Sequence, residues 1–236
     1  MKRLHRRFRV SRAPFYLPLL LFLLPISGCG GGAPEEEAGP PPNPLLQPRS
    51  FQETAPESYQ VRLTTSKGNV LLGVTRDWAP LAADRFYNLV KAGYYDGMTF
   101  HRVLPGFVAE FGIHGDPWVN AAWRQALLAD EPVRESNTRG RVTFSKNTPN
   151  SRTVQVFISL KDNLSLDDQG FSPFGEVLEG MEVVEALYSD YGDGPPRGEG
   201  VYQAMAIARG DEYLNEEFPL LDRIERAELI EVRGGG

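Results

Sequence analysis

The sequence predicts a mainly β domain, a closed antiparallel barrel plugged at its ends by two helices. Two observations carry this. Short runs of alternating apolar and polar residues recur along the body of the chain, separated by turn residues, and only two stretches repeat at helical spacing. From Tyr59 onward, Val61, Leu63 and Thr65 alternate with polar residues, Ser66-Lys67-Gly68-Asn69 supplies turn chemistry, and Val70, Leu72 and Val74 alternate again, which is a β-hairpin. Asp77 and Pro80 mark a helix start; Ala83, Phe86, Leu89 and Val90 recur at helical spacing, and Gly93 is placed to cap the end. Residues 99–104 read as one short strand, with further strands at 142–144 and 154–160. A second amphipathic helix follows Gly180, with Met181, Val184 and Leu187 on one face, and the last strand is expected at 226–232.

The first 28 residues read as an address. Residues 1–12 are basic, and the run from Phe15 to Ile26 is nearly all apolar, as in a secretory signal. That run is too short to span a bilayer, which takes about 20 residues, and Pro18 and Pro25 interrupt it. Ile26-Ser27-Gly28-Cys29 then resembles a bacterial lipobox, in which the cysteine thiol receives the lipid; two or more acyl chains hold a protein stably to a membrane. The competing reading is an ordinary signal followed by an incidental cysteine, and the Arg6-Arg7 pair leaves twin-arginine export open. Residues 29–57 turn to Gly, Pro and Glu and read as a disordered tether between the lipidated Cys29 and a folded domain over 58–236. The expected location is the cell envelope outside the cytoplasm, with the outer membrane favoured because Gly30, not an aspartate, follows Cys29.

Composition narrows the partners. The 236-residue chain carries a formal charge of -6, and six basic residues but no acidic one precede Cys29, so a chain cut there carries about -12. No basic face is left to meet phosphates, which argues against nucleic acid. One cysteine excludes an intramolecular disulfide.

Several motifs in one register narrow the function. Phe100-His101-Arg102-Val103-Leu104-Pro105-Gly106-Phe107-Val108 closely resembles the signature of cyclophilins. Gly140-Arg141-Val142-Thr143-Phe144 and Pro149-Asn150-Ser151 are similar to the segment that walls that family's active site. Gln155-Val156-Phe157-Ile158, Phe174-Gly175-Glu176-Val177 and Gly180-Met181 continue the match, over about three quarters of the chain. The resemblance implies an eight-stranded antiparallel barrel closed by two helices, a monomer needing no cofactor or metal, and peptidyl-prolyl cis-trans isomerase activity on proline-containing polypeptides. It assigns catalysis to Arg102, with Glu110 beside it, and substrate contact to Phe107, Val108, Asn147, Phe157, Leu166 and Phe171. Segments 116–137 and 198–219 look added to the family plan as surface loops or helices, the first with room for a short helix; their aromatic and apolar residues, Trp118, Trp123, Leu127 and Leu128 in the first, are expected to pack onto the barrel.

Other chemistries fit less well. No Gly-x-Ser-x-Gly elbow is present for a serine hydrolase. Asp162, Asp167 and Asp168 suggest a calcium loop, but Leu164 and Pro173 fall where ligands are required. His101 should face away from Arg102, because neighbouring strand residues point to opposite faces, and His114 reads as a solvated loop residue. The remaining alternative is a weakly catalytic or non-catalytic module that binds proline-containing segments. Glu110 stands where the family usually has glutamine, and Val156 and Ser165 stand where many relatives carry aromatic residues.

Overall fold

The computed structural model describes residues 43–230. The expected signal segment, Cys29, the start of the tether and residues 231–236 lie outside them.

The predicted hairpin is formed by β1 (Ser58–Thr65) and β2 (Gly68–Thr75), paired from Ser58 opposite Thr75 to Thr65 opposite Gly68. Every second residue is buried (Tyr59, Val61 and Leu63 on β1; Val70, Leu72 and Val74 on β2), so the sequence alternation becomes a one-sided face. Thr65 closes the turn: its hydroxyl donates to the Gly68 carbonyl at 2.7 Å and accepts from the Lys67 amide at 3.1 Å. The other strands are β3 (Met98–Thr99), β4 (Arg102–Leu104), β5 (Val108–Phe111), β6 (Arg141–Phe144), β7 (Val156–Ser159), β8 (Pro173–Glu179) and β9 (Arg223–Ile230).

All nine lie in one antiparallel sheet ordered β3-β9-β1-β2-β8-β6-β7-β5-β4. The eight-stranded closed barrel is therefore corrected to a nine-stranded curled sheet. Residues 99–104 are two strands, because Phe100 and His101 break the pairing: Phe100 N–H still donates to Asp222 on the β9 side at 2.9 Å, whereas Arg102 already pairs with Glu110 on β5. The two sheet edges are thus two residues apart in the chain, and it is the covalent link, with no ladder, that brings them together.

Helix α1 (Pro80–Lys91) covers the main core with Ala82, Ala83, Phe86, Leu89 and Val90. It ends as expected. Tyr94 N–H reaches the Leu89 carbonyl at 2.9 Å and Gly93 N–H reaches Val90 at 3.0 Å, with Gly93 at φ 69°, a left-handed C-cap. Its start differs from the sequence reading, since Asp77 does not cap it. The Glu131 carboxylate does, accepting from the Leu81 and Ala82 amides at 2.6 and 3.1 Å, where negative charge suits the helix dipole.

Five α-helices occur among the described residues: the two expected to close the sheet and three from the added segments. Besides α1 they are α2 (Pro117–Trp123), α3 (Met181–Glu185, shorter than the expected second helix), α4 (Gln203–Arg209) and α5 (Asp211–Glu217). The first added segment packs only in part: Trp123 is buried against Phe51 and Tyr94, whereas Trp118 and Leu127 are exposed. The second folds as α4 and α5 and builds its own small core from Val201, Ala206, Leu214 and Phe218 around Ile113. Residues 43–57, expected to belong to the tether, are packed against the domain. Leu45 and Ala55 are buried, the Leu45 carbonyl accepts the Trp123 indole N–H at 2.9 Å, and Glu53 and Asn88 exchange hydrogen bonds.

Candidate active site

The β4–β5 hairpin turns through Pro105 and Gly106, which sets Arg102 opposite Glu110 and Leu104 opposite Val108. Strand β5 next pairs with β7, Glu110 facing Phe157, and β7 pairs with β6, Phe157 facing Thr143. Directly opposed residues share a face, so Arg102, Glu110, Phe157 and Thr143 form one row across four strands. Their chain neighbours Val103, Ala109, Phe111, Val156 and Ile158 belong to the main core. Val108, Phe157 and Leu166 instead make a separate apolar cluster, flanked by Phe107 and Phe171. The sheet here is buried on both faces, and its second apolar face is a cup.

A cavity of about 570 Å³ opens over this row. Arg102 stands at the lip of the cup with its side chain 13% exposed, its guanidinium carbon 5.6 Å from the Phe107 ring centre. Three of its five N–H donors are engaged: Nε and Nη2 donate to the Asp193 carboxylate at 2.8 and 3.3 Å, and Nη1 donates to Glu110 Oε2 at 3.2 Å. The second Glu110 oxygen accepts from the Ser145 hydroxyl at 2.5 Å. Burial alone would lower the affinity of Arg102 for its proton, but hydrogen bonding to Asp193 and the charges of Glu110 and Asp193 outweigh it, and the guanidinium is held more firmly protonated than usual. The same bond to Arg102 holds the Asp193 carboxyl below its ordinary range. Two carboxylates around one guanidinium give the site fixed donors, an arrangement suited to hydrogen-bonding and orienting a substrate.

The residues expected to act in catalysis and substrate binding line this cavity: Arg102, Phe107, Val108, Glu110, Asn147, Phe157, Leu166 and Phe171. Other residues join them, Ser145, Gln155 and Asp193 among them. Gln155 opens one of the resembling motifs and Ser145 directly follows another, so the sequence carries a signal for both. Asp193, 91 residues from Arg102, carried no local signal. His101 does not line the cavity; it is 1% exposed, neither ring nitrogen has a partner, and burial lowers its pKa to about 4. His114 is half-buried rather than solvated, stacking near Tyr94 and accepting from the Asp116 amide at 2.9 Å. The acidic cluster serves the backbone: Asp167 accepts from the Asn137 amide and side chain, and Asp162 from the Arg139 amide.

A curled antiparallel sheet carrying an arginine at the lip of an apolar cup sets fixed hydrogen-bond donors beside an apolar pocket. The comparisons with known proteins give the family. Residues 60–208 match the model described as cyclophilin type peptidyl-prolyl cis-trans isomerase/CLD. The chain is 34% identical over 138 residues to peptidyl-prolyl cis-trans isomerase A of Dickeya dadantii, covering 56% of this chain and 73% of the relative. It is 31% identical over 156 residues to peptidyl-prolyl cis-trans isomerase ppi1 of Schizosaccharomyces pombe, covering 62% and 98%. The crystal structure of a cyclophilin type peptidyl-prolyl cis-trans isomerase from Cryptosporidium parvum superposes with a TM-score of 0.53 at 20% identity, over 74% of this chain and 98% of that one, and shares the fold. The chain belongs to the cyclophilin type peptidyl-prolyl cis-trans isomerase family.

Proposed function

We propose that this chain catalyses cis-trans isomerisation of X-Pro bonds in exported proteins, working at the cell envelope while held to a membrane through a lipid on Cys29. The observation that carries the activity is the Arg102 guanidinium fixed at the lip of the Val108, Phe157 and Leu166 cup.

Rotation about a peptide bond is opposed by delocalisation of the nitrogen lone pair, with a barrier of about 18–20 kcal/mol. Before proline both isomers are populated and exchange slowly. No covalent bond has to break; the catalyst need only bind the twisted state, with its localised lone pair, better than the planar one. The cup takes the proline ring and excludes water from it, and an Arg102 N–H left free by Asp193 and Glu110 donates to the prolyl nitrogen as its lone pair is released. Arginine suits the task because it stays protonated throughout.

Arg102→Ala should lower kcat/KM for a proline peptide by about 10²–10³-fold, the cost of one preorganised transition-state donor. Near-full activity in the folded variant would overturn the assignment. Incorporation of labelled fatty acid into the native chain but not into Cys29→Ala tests the anchor. A second reading, a binding module with little turnover, is favoured by one feature: three Arg102 donors are already engaged by carboxylates. Under that reading a proline peptide binds but its isomers exchange at the uncatalysed rate.

A further inference from the structure

We infer that Asp193, carried on a loop outside the sheet, is a positioning residue that orients the Arg102 guanidinium for isomerisation; this rests on the isomerase reading above. Asp193 takes one whole edge of the guanidinium, accepting from Nε at 2.8 Å and from Nη2 at 3.3 Å. Such a two-point grip on a planar fork fixes its tilt as well as its place, which a single contact cannot do. Glu110 holds only Nη1, so without Asp193 the plane could swing about that one contact.

The loop is built to hold this carboxylate still. Asp193 Oδ1 also accepts its neighbour's amide, Gly194 N–H, at 3.0 Å, and the Asp193 carbonyl accepts from Gly200 N–H at 2.9 Å. The loop closes tightly enough that a Cβ on Gly198 would lie 2.3 Å from that carbonyl oxygen, so any larger residue there would push Asp193 away. On the upstream side Tyr191 stacks edge-on against Phe218 with ring centres 5.0 Å apart, which ties the loop to the small core of α4 and α5. The added helices therefore have a use. They brace the strap that carries Asp193, and Gln203 of α4 joins the cavity wall itself. Fixing a transition-state donor before the substrate arrives removes a reorganisation cost from the reaction.

The test combines kinetics with a spectrum that needs no turnover. In the native chain the Arg102 Nε–H should give a slowly exchanging ¹⁵N signal, absent in Arg102→Lys and exchange-broadened in Asp193→Ala. Asp193→Ala should lower kcat by about tenfold, a fraction of the cost of losing the donor itself, with KM changed less than about twofold. Asp193→Asn, which keeps the shape and one acceptor, should fall between, and it serves if the alanine variant does not fold. In an Arg102→Lys background Asp193→Ala should have almost no further effect. Unchanged kcat in both folded Asp193 variants, an equal loss in the Arg102 and Lys backgrounds, or a rise in kcat would each overturn the inference. A native chain that fails to isomerise peptides overturns the parent reading and this one together, whereas an active native chain with indifferent Asp193 variants overturns this one alone.

Discussion

Replacing Glu110 by glutamine separates two things the carboxylate does at once. Its side chain is 7% exposed, and it accepts from Arg102 Nη1 at 3.2 Å and from the Ser145 hydroxyl at 2.5 Å. An ionised carboxylate can only accept, so it competes with the prolyl nitrogen for guanidinium protons and presents negative charge to a substrate carbonyl. A glutamine of the same shape still offers one oxygen to Arg102, while its amide can donate to the Ser145 oxygen or to substrate. Arg102 should keep its orientation, because the Nε and Nη2 bonds to Asp193 are untouched. What changes is that an ion pair with the guanidinium becomes a bond from the guanidinium to a neutral amide oxygen, a difference of about 1 kcal/mol, the scale of one net hydrogen bond. Released to the transition state, that is about a fivefold rise in kcat/KM. Isomerisation of an Ala-Pro peptide, followed by NMR exchange at matched concentrations of folded protein, would measure it. Equal or lower kcat/KM in well-folded Glu110→Gln would refute the reasoning and make Glu110 a supporting partner of Arg102 rather than a competitor.

Three further outcomes are expected. Phe157→Ala empties the floor of the cup and should cost about 3 kcal/mol by chemical denaturation, within the range for buried aromatic truncation, while raising KM; an unchanged KM would remove the cup from substrate binding. His101 is buried as the neutral ring, with its pKa lowered to about 4. Above pH 6.5 neither state is charged and its contribution is complete; as pH falls from 6.5 to 4 the unfolded chain takes up the proton first, and about 3 kcal/mol should be lost. His101→Gln should lack that share of the acid sensitivity in urea midpoints compared at pH 7 and 4.5, and identical profiles would show that His101 is not its source. Deleting residues 43–57 removes Leu45 from the core and strands the Trp123 indole N–H, so the folded domain should lose about 2–4 kcal/mol; an unaltered melting curve would mean these contacts add nothing.

Much of the site was legible in the sequence because it is built from neighbours. The β4–β5 turn lies between Leu104 and Val108, so Arg102 and Glu110 face each other by hairpin register, and Phe107 and Val108 follow in the same motif. The alternation of β1 and β2 and the helical period of α1 reflect one-sided burial, which the sequence records directly. Other features rest on contacts between distant segments that leave no local pattern. Glu131 caps a helix 50 residues upstream, and Leu45 reaches Trp123 across 78 residues. By composition 43–57 is a tether, and only α1 and α2, brought together by the fold, give it a surface to pack on. The sequence by itself determined the family, the strand alternation and the arginine with its apolar cup, because each depends on residues a few positions apart. The open-edged nine-stranded sheet, the packed helical segment and the Asp193 grip on Arg102 were decided by the tertiary structure, because a long-range contact selects a partner by its place in space, not by its spacing along the chain.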